Sequence, residues 1–240
     1  MKNRIVPILV CFALCSACDN NDTRPFNEAL TPYCESLEDE FNNVPDSTQE
    51  QLKVAGTYII NRLNNGQIAS ISFVCEHNSR KSHLGQIWTT LATQYYQLDH
   101  VKCYSGGTTP TYVNQRIINA LGNTGIQISE KGIAGHGPKY LLDYGKSSRG
   151  FEIFSKRFDH PMNPDTNYLA ISLCLNPDEC CPISYGADKQ LSIPYEDLQP
   201  FGNTPLESAK YDEQCRMVAR DMFYMMDFVK TNTHLHAKTE

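Results

Sequence analysis

The chain has 240 residues, 40% of them hydrophobic and 20% charged, which suits one globular domain with an ordinary core and argues against global disorder. Its formal net charge of -6, from 21 basic and 27 acidic residues, excludes the broad basic surface that attracts nucleic acid. Any site for an anion must therefore be local.

Residues 1–18 are typical of an export signal. Lys2 and Arg4 precede an uncharged apolar run from Ile5 to Leu14, which is shorter than the roughly 20 residues of a bilayer-spanning helix. Small residues before Cys18 and polar residues after it resemble a bacterial lipoprotein signal, in which Cys18 is lipidated. We therefore expect an exported protein, held by a lipid anchor on a membrane of a bacterial envelope; ordinary cleavage nearby is the alternative.

A tether is predicted over residues 19–46, because the segment is polar, contains three prolines and lacks sustained periodicity apart from a short helix. The folded domain is expected over residues 47–240. Its first helix is predicted from a cap at Ser47 to Leu63, before Asn64-Asn65-Gly66.

Strands then alternate with helices. The apolar, β-branched run Ile68–Val74 predicts a buried strand, and Ser82–Gln97 has the apolar spacing of a helix. A second strand at Val101–Tyr104 and a second helix at Asn114–Leu121 follow. This order predicts an α/β class, a doubly wound and mainly parallel central sheet with helices on both faces.

The last third of the chain is less regular. Lys139–Asp159 has two extended runs around a turn-like segment, which is consistent with a hairpin. Tyr168–Cys174 is typical of another buried strand, and Pro205–Val229 of a closing helix.

The segment between the first strand and its helix reads Cys-Glu-His-Asn-Ser-Arg-Lys-Ser, from Cys75 to Ser82. A cysteine attacks a phosphoryl centre as its thiolate, and a helix N-terminus favours negative charge through backbone amides and the helix dipole. The segment resembles the loop of the low-molecular-weight tyrosine phosphatase and thioredoxin-coupled arsenate reductase superfamily. That loop has Cys, five residues, Arg and Ser or Thr, with an internal Asn. Cys75, Asn78 and Ser82 match it, whereas Lys81 stands at the arginine position.

The resemblance implies that Cys75 is the nucleophile and that Lys81 helps to hold the oxyanion. The remaining oxyanion-binding residues that it implies are Glu76, His77, Asn78, Ser79, Arg80 and Ser82. Lysine is a point charge where arginine is a planar fork, so Lys81 could weaken turnover, and Arg80 would have to swing inward to replace it. The alternative for the whole loop is an inert buried cysteine before a helix.

Three later segments also resemble the superfamily. Gln86-Ile87-Trp88 and Ser105-Gly106-Gly107-Thr108 match landmarks after the loop, the second of them followed by Asn114. In Tyr195-Glu196-Asp197-Leu198, Asp197 falls where the superfamily has its general acid, although Leu198 replaces the usual proline. Glu196 and Asp159 are the alternative acids.

Cys174 and Cys181 are separated by six residues, with proline after the second, as in the redox segment of the arsenate reductases. The resemblance implies that Cys75 attacks arsenate, that Cys174 forms a disulfide with Cys75, and that Cys181 resolves it, with thioredoxin as the reductant. The alternative is a core cysteine at Cys174 and a permanent pair at Cys181, with Cys180 complicating either assignment.

Three functions follow as expectations. The first is a cysteine-dependent phosphomonoester hydrolase acting on a phosphorylated protein or small phosphoester without a cofactor. The second is an arsenate reductase, and the third a non-catalytic, lipid-anchored oxyanion-binding protein. His77 lies inside the loop, where its charge would tune the Cys75 thiolate; the alternative is that it faces solvent. His136 and His160 lack metal-ligand spacing, so no metal site is predicted.

Overall fold

A computed structural model describes residues 25–145, 150–176 and 186–233. The predicted signal, with Cys18, lies outside the described residues. The helices are α1 (Leu30–Glu38), α2 (Asp46–Asn64), α3 (Lys81–Tyr95), α4 (Gln115–Asn123) and α5 (Glu207–Asn232), with short 3-10 helices at Phe41–Asn43 and Gln199–Phe201. The strands are β1 (Ala69–Cys75), β2 (Val101–Gly107), β3 (Gln127–Ala134), β4 (Gly137–Asp143), β5 (Gly150–Ile153), β6 (Tyr168–Ser172) and β7 (Ala187–Ser192).

The central sheet has the strand order β2-β1-β6-β7, and all of its strand pairs are parallel. The predicted α/β class, a parallel central sheet with helices on both faces, is confirmed. β1 lies inside the sheet, and its last residue Cys75 pairs in register with Gly107 at the end of β2. The carboxyl edge of the sheet therefore brings the cysteine loop beside the segment that follows β2.

The main core lies between the central sheet and helices α2, α3 and α5. Gly85 of α3 packs so closely on the sheet that a Cβ atom there would lie 2.5 Å from the ring of Phe73. Trp88, one turn later, is fully buried and stacks on Tyr33 with ring centroids 5.4 Å apart. These contacts fix the position of α3, whose first turn directly follows the cysteine loop.

The prediction of a tether over residues 19–46 is wrong for its described part. Phe26, Leu30, Cys34 and Leu37 have no exposed surface, and Val44 is only 2% exposed. Their spacing over α1 is helical, so the segment buries one apolar face against α5 and joins the core. The folded domain therefore begins about twenty residues earlier than expected.

A second sheet of three antiparallel strands has the order β3-β4-β5. It confirms the predicted hairpin, since Tyr140 of β4 pairs with Ile153 of β5. Strands β3 and β7 were not predicted, because their residues are mostly polar and exposed. No helix of the described ranges combines the length and the apolar character that crossing a membrane requires.

Candidate active site

The cysteine loop turns at the carboxyl end of β1. Cys75 ends that strand and Lys81 begins α3, so the turn consists of the five residues Glu76–Arg80. A Cβ atom on the neighbouring Gly107 would lie 2.6 Å from the amide nitrogen of Asn78. Asn78 itself has a φ of 43°, a left-handed conformation that asparagine tolerates. Glycine at the end of β2 therefore allows the close contact on which the loop conformation depends.

Buried side-chain hydrogen bonds hold the loop. Nδ2 of the fully buried Asn78 donates to Oγ of Ser82 at 2.8 Å, and the backbone amide of Lys156 donates to Oδ1 of Asn78 at 2.9 Å. Oγ of Ser82 lies 3.0 Å from Sγ of Cys75. Because that oxygen already accepts from Asn78, its own hydrogen is available for the sulfur. The arrangement orients the Cys75 side chain and offers a donor to its thiolate.

Residues outside the cysteine loop donate hydrogen bonds to its carbonyl groups. The amide of Thr111 donates to the carbonyl of His77 at 3.1 Å, and the amide of Asn114 donates to that of Ser79 at 2.9 Å. Oγ of Ser155 also donates to the His77 carbonyl, at 3.2 Å. The amides of residues 77–80, by contrast, have no acceptor within the described part of the chain. These amides, at the start of α3, are the donors that an oxyanion requires.

Lys81 does not point freely into the cavity beside the loop. Its Nζ atom donates to the carbonyl oxygen of Tyr195 at 2.5 Å. Burial lowers the pKa of Lys81, although the nearby charges of Asp197, Cys174 and Cys75 oppose that change. The lysine at the arginine position is therefore engaged by the segment that carries the expected acid.

Arg80 forms an ion pair with the expected acid. Its Nη1 atom lies 3.0 Å from Oδ1 of Asp197. Burial opposes the charge of Arg80, but a hydrogen bond with Tyr211 and the charge of Asp197 outweigh it and raise its pKa. Arg80 therefore lines the cavity together with Cys75, and its guanidinium is paired with Asp197.

Asp197 is 44% exposed and negatively charged in this arrangement. Burial would raise its pKa, but a hydrogen bond from the amide of Gln199 and the charges of Arg80 and Lys81 outweigh that influence, so the pKa is lowered. A general acid must carry a proton when the leaving group departs. The pair with Arg80 therefore has to change before Asp197 can act as an acid.

A cavity of about 530 Å³ opens in front of the loop. Its lining includes the expected Cys75, Glu76, His77, Ser79, Arg80, Lys81 and Asp197. Residues that the sequence did not single out complete the wall, among them Thr111, Tyr112, Arg116, Gln199, Asn203 and Tyr211. Asn114, which the sequence did single out, also lines the cavity and caps α4 by accepting the Arg116 amide at 2.9 Å.

Neither alternative acid lines this cavity. Asp159 pairs with Arg157 through two hydrogen bonds and lines a separate cavity near His160. Glu196 directly precedes Asp197, and its backbone carbonyl accepts a hydrogen bond from the Gln214 side chain. Of the three carboxylates considered, Asp197 is thus the one beside Cys75.

A buried polar cluster lies behind the loop. Oγ of Ser105 donates to Oε1 of Gln86 at 2.7 Å and lies 3.3 Å from Nδ1 of His83. Burial, with the charge of Lys156 second, lowers the pKa of His83 to about 3. Burial also lowers the pKa of Lys156 to about 8. A neutral histidine and a buried lysine therefore lie behind the cysteine loop.

The structure places only part of the expected redox series. Cys174 is buried just after β6 and lies close enough to Lys81 to influence its charge. Cys180 and Cys181 lie outside the described residues. Among the residues that the structure describes, no three histidines, cysteines or carboxylates are grouped to hold a metal ion.

No family model and no curated protein matches the chain. Among solved structures it is similar to a low-molecular-weight protein tyrosine phosphatase from Bacillus subtilis, with 14% identity and a TM-score of 0.45 over 68% of this chain and 98% of the other. It is also similar to a YwlE mutant from Bacillus subtilis, with 12% identity and a TM-score of 0.44 over 66% of this chain and 97% of the other. A third similar structure is a low-molecular-weight phosphotyrosine phosphatase from Vibrio cholerae O395, with 13% identity and a TM-score of 0.42 over 66% of this chain and 95% of the other. Likeness at this level of identity does not extend to activity or substrate.

Proposed function

We propose that this protein is a cysteine-dependent phosphomonoester hydrolase that works through a thiophosphate on Cys75. The observation that carries the proposal is a single cavity that contains the thiol, the loop and the Asp197 carboxylate. Amides without a described acceptor line the same loop. A nucleophile, an oxyanion cradle and an acid are the groups that this chemistry needs.

In the first proposed step, the Cys75 thiolate attacks phosphorus as the bond to the leaving oxygen breaks. Protonated Asp197 gives its proton to that oxygen, so the alcohol or phenol leaves neutral. Amides of residues 77–80 hold the equatorial oxygens. In the second step Asp197 takes a proton from water, the water oxygen attacks phosphorus, and the sulfur–phosphorus bond breaks. Phosphate leaves, and Asp197 is again protonated.

The proposed substrates are phosphorylated proteins, phosphotyrosine first, or small phosphoesters. A cavity of about 530 Å³ is large enough for an aryl phosphate. Tyr112, 56% exposed, lies on its wall and offers an aromatic surface to such a substrate.

The direct test is phosphate release from an aryl phosphate by the full chain, reduced and in detergent. Cys75→Ser should lower the rate roughly 10³-fold or more while still binding inorganic phosphate, because the loop amides remain. Cys103→Ser is the matched control, since Cys103 lies in β2 and outside the cavity. Hydrolysis that survives in Cys75→Ser would exclude the proposed nucleophile.

An arsenate reductase is the second candidate, because Cys174 lies near Lys81 at the site. In that reaction the Cys75 thiolate bonds arsenic as an arsenate oxygen leaves as water. Cys174 then attacks the Cys75 sulfur, so that arsenite leaves with two electrons and a Cys75–Cys174 disulfide forms. Cys181 attacks Cys174 to form a Cys174–Cys181 disulfide and frees the Cys75 thiol. Thioredoxin would return two electrons. Turnover of arsenate that requires thioredoxin, Cys174 and Cys181 would favour this reaction over hydrolysis.

Phosphate binding without either turnover would leave the third candidate, an oxyanion-binding lipoprotein. Export and lipidation of Cys18 belong to this proposal in all three cases. Labelling with a fatty-acid probe that is lost in Cys18→Ala would support the anchor, and equal labelling of that variant would contradict it.

A further inference from the structure

Two neighbouring cations at the start of α3 have different partners. Nζ of Lys81 donates to the backbone carbonyl of Tyr195, whereas the guanidinium of Arg80 faces the Asp197 carboxylate at 3.0 Å. Both side chains line the cavity with Cys75. Consecutive residues at a helix start project about 100° apart, so one position cannot simply substitute for the other.

On the basis of the proposed hydrolase, we infer that Arg80 grips the substrate phosphate and that Lys81 is a positioning residue for the acid segment. The guanidinium exchanges its bond with Asp197 for bonds with the phosphate oxygens. The oxyanion role that the sequence pattern assigns to position 81 therefore passes to position 80, and Lys81 holds the acid segment instead.

The Arg80–Asp197 pair is suited to exchange. Its guanidinium is 21% exposed and also bonded to Tyr211, whereas its carboxylate partner is 44% exposed. A phosphate dianion carries more charge than a carboxylate and matches the planar fork of arginine with two oxygens. Once Arg80 turns to the dianion, Asp197 loses its cationic partner and lies beside negative charge. Both changes favour the protonated carboxyl that the first step needs.

Lys81 instead fixes the backbone from which the acid projects. Its acceptor, Tyr195, lies two residues before Asp197. The Tyr195 hydroxyl donates to the buried Asp221 at 2.8 Å, and Asp221 is paired with Arg220. The acid segment is thus anchored on its carbonyl side by Lys81 and on its side-chain side by α5.

The test measures inorganic phosphate binding to the full chain in a Cys75→Ser background. Arg80→Met should weaken phosphate binding roughly 10- to 100-fold, because a charged bidentate contact is lost. The affinity of Arg80→Lys for phosphate should lie between those of Arg80→Met and the parent protein. Lys81→Met should change binding by less than about threefold, since Nζ is bonded to a carbonyl. A larger loss in Lys81→Met than in Arg80→Met, or equal losses, would overturn the assignment.

Hydrolysis by the Cys75-intact variants supplies a second readout. In Lys81→Met the loss of rate should grow as the leaving group becomes more basic, because a misplaced acid matters most for poor leaving groups. In Arg80→Met the loss should be similar for all leaving groups. A uniform effect in Lys81→Met would contradict its positioning role. If the Cys75→Ser variant without a second change does not bind phosphate, that result contradicts the proposed function itself. A failure of the proposed function can therefore be distinguished from a failure of the roles inferred for Arg80 and Lys81.

Discussion

Replacement of Lys156 by methionine should stabilise the protein at neutral pH. The Lys156 side chain is 7% exposed, and its Nζ lies 5.1 Å from the centre of the Phe154 ring. The titratable and charged groups around it are His83, Arg157 paired with Asp159, and His160 packed on Phe154. None of the ion pairs within the described ranges includes Lys156. Among the described residues, therefore, no carboxylate pairs with this buried cation to offset its charge.

The magnitude follows from the pKa of Lys156, which burial lowers from 10.5 to about 8. The folded state thus binds fewer protons than the unfolded state between these values, and stability rises with pH across that window. The stability linked to this group is fully present above pH 10.5 and is lost as pH falls through 8. The cost at pH 7 is about 3 kcal/mol, and at pH 10 it is about 1 kcal/mol.

The assay is urea unfolding of the wild type and Lys156→Met at pH 7 and pH 10. We expect the stabilising effect of the variant to shrink by about 2 kcal/mol between these values. Comparing the two proteins at each pH removes the contributions of the buried cysteines, which titrate in the same range when unfolded. Lys131→Met, on the exposed strand β3, reports the loss of one surface charge. A benefit that does not change with pH would refute the reasoning.

Two further substitutions test the loop and the fold. Gly107→Ala should destabilise the fold by about 1–3 kcal/mol and weaken phosphate binding, because its Cβ would lie 2.6 Å from the Asn78 amide nitrogen. Gly122→Ala in α4, where a Cβ would have nothing within 4 Å, should stabilise the fold by about 0.5–1 kcal/mol. Similar unfolding midpoints for the two variants would contradict both expectations. Phe26→Ala should cost about 3–5 kcal/mol in chemical unfolding if the N-terminal segment belongs to the core, whereas Ile133→Ala, 82% exposed, should cost little. A Phe26→Ala effect as small as that of Ile133→Ala would show that the N-terminal segment is a tether and not part of the core.

Elements with one clear hydrophobic period could be predicted from the sequence. β1, α3 and α5 have apolar residues at strand or helix spacing and are buried where that spacing requires. β3 and β7 lack this signal, because their side chains are mostly in solvent and the partner strand determines the pairing. The sequence predicted a short helix in the region of α1, but the polar neighbours and three prolines around Leu30, Cys34 and Leu37 gave no sign that these residues join the core.

The loop was predictable because its chemistry is local. Cys75, Asn78 and Ser82 interact within eight consecutive residues, and all three belong to the loop pattern that the sequence resembles. The Arg80–Asp197 pair joins residues more than one hundred positions apart, and spacing holds no information on such a contact. The bond from Lys81 to Tyr195 spans a similar distance along the chain. The different partners of Arg80 and Lys81 are therefore a property of the fold.

Under the proposed function, lysine at the arginine position should affect binding and turnover differently. The main oxyanion donors at the loop are backbone amides, and their positions depend on Asn78, Gly107 and the start of α3 rather than on the side chain at position 81. Backbone amides do not titrate at physiological pH, and they need little reorganisation when the anion binds. On a chain with a net charge of -6, such a cradle can still select an anion locally. Under the proposed function, lysine at position 81 therefore leaves phosphate binding to the amides and Arg80. Its consequence falls on the rate, because Arg80 and Asp197 must separate before the leaving group can take a proton.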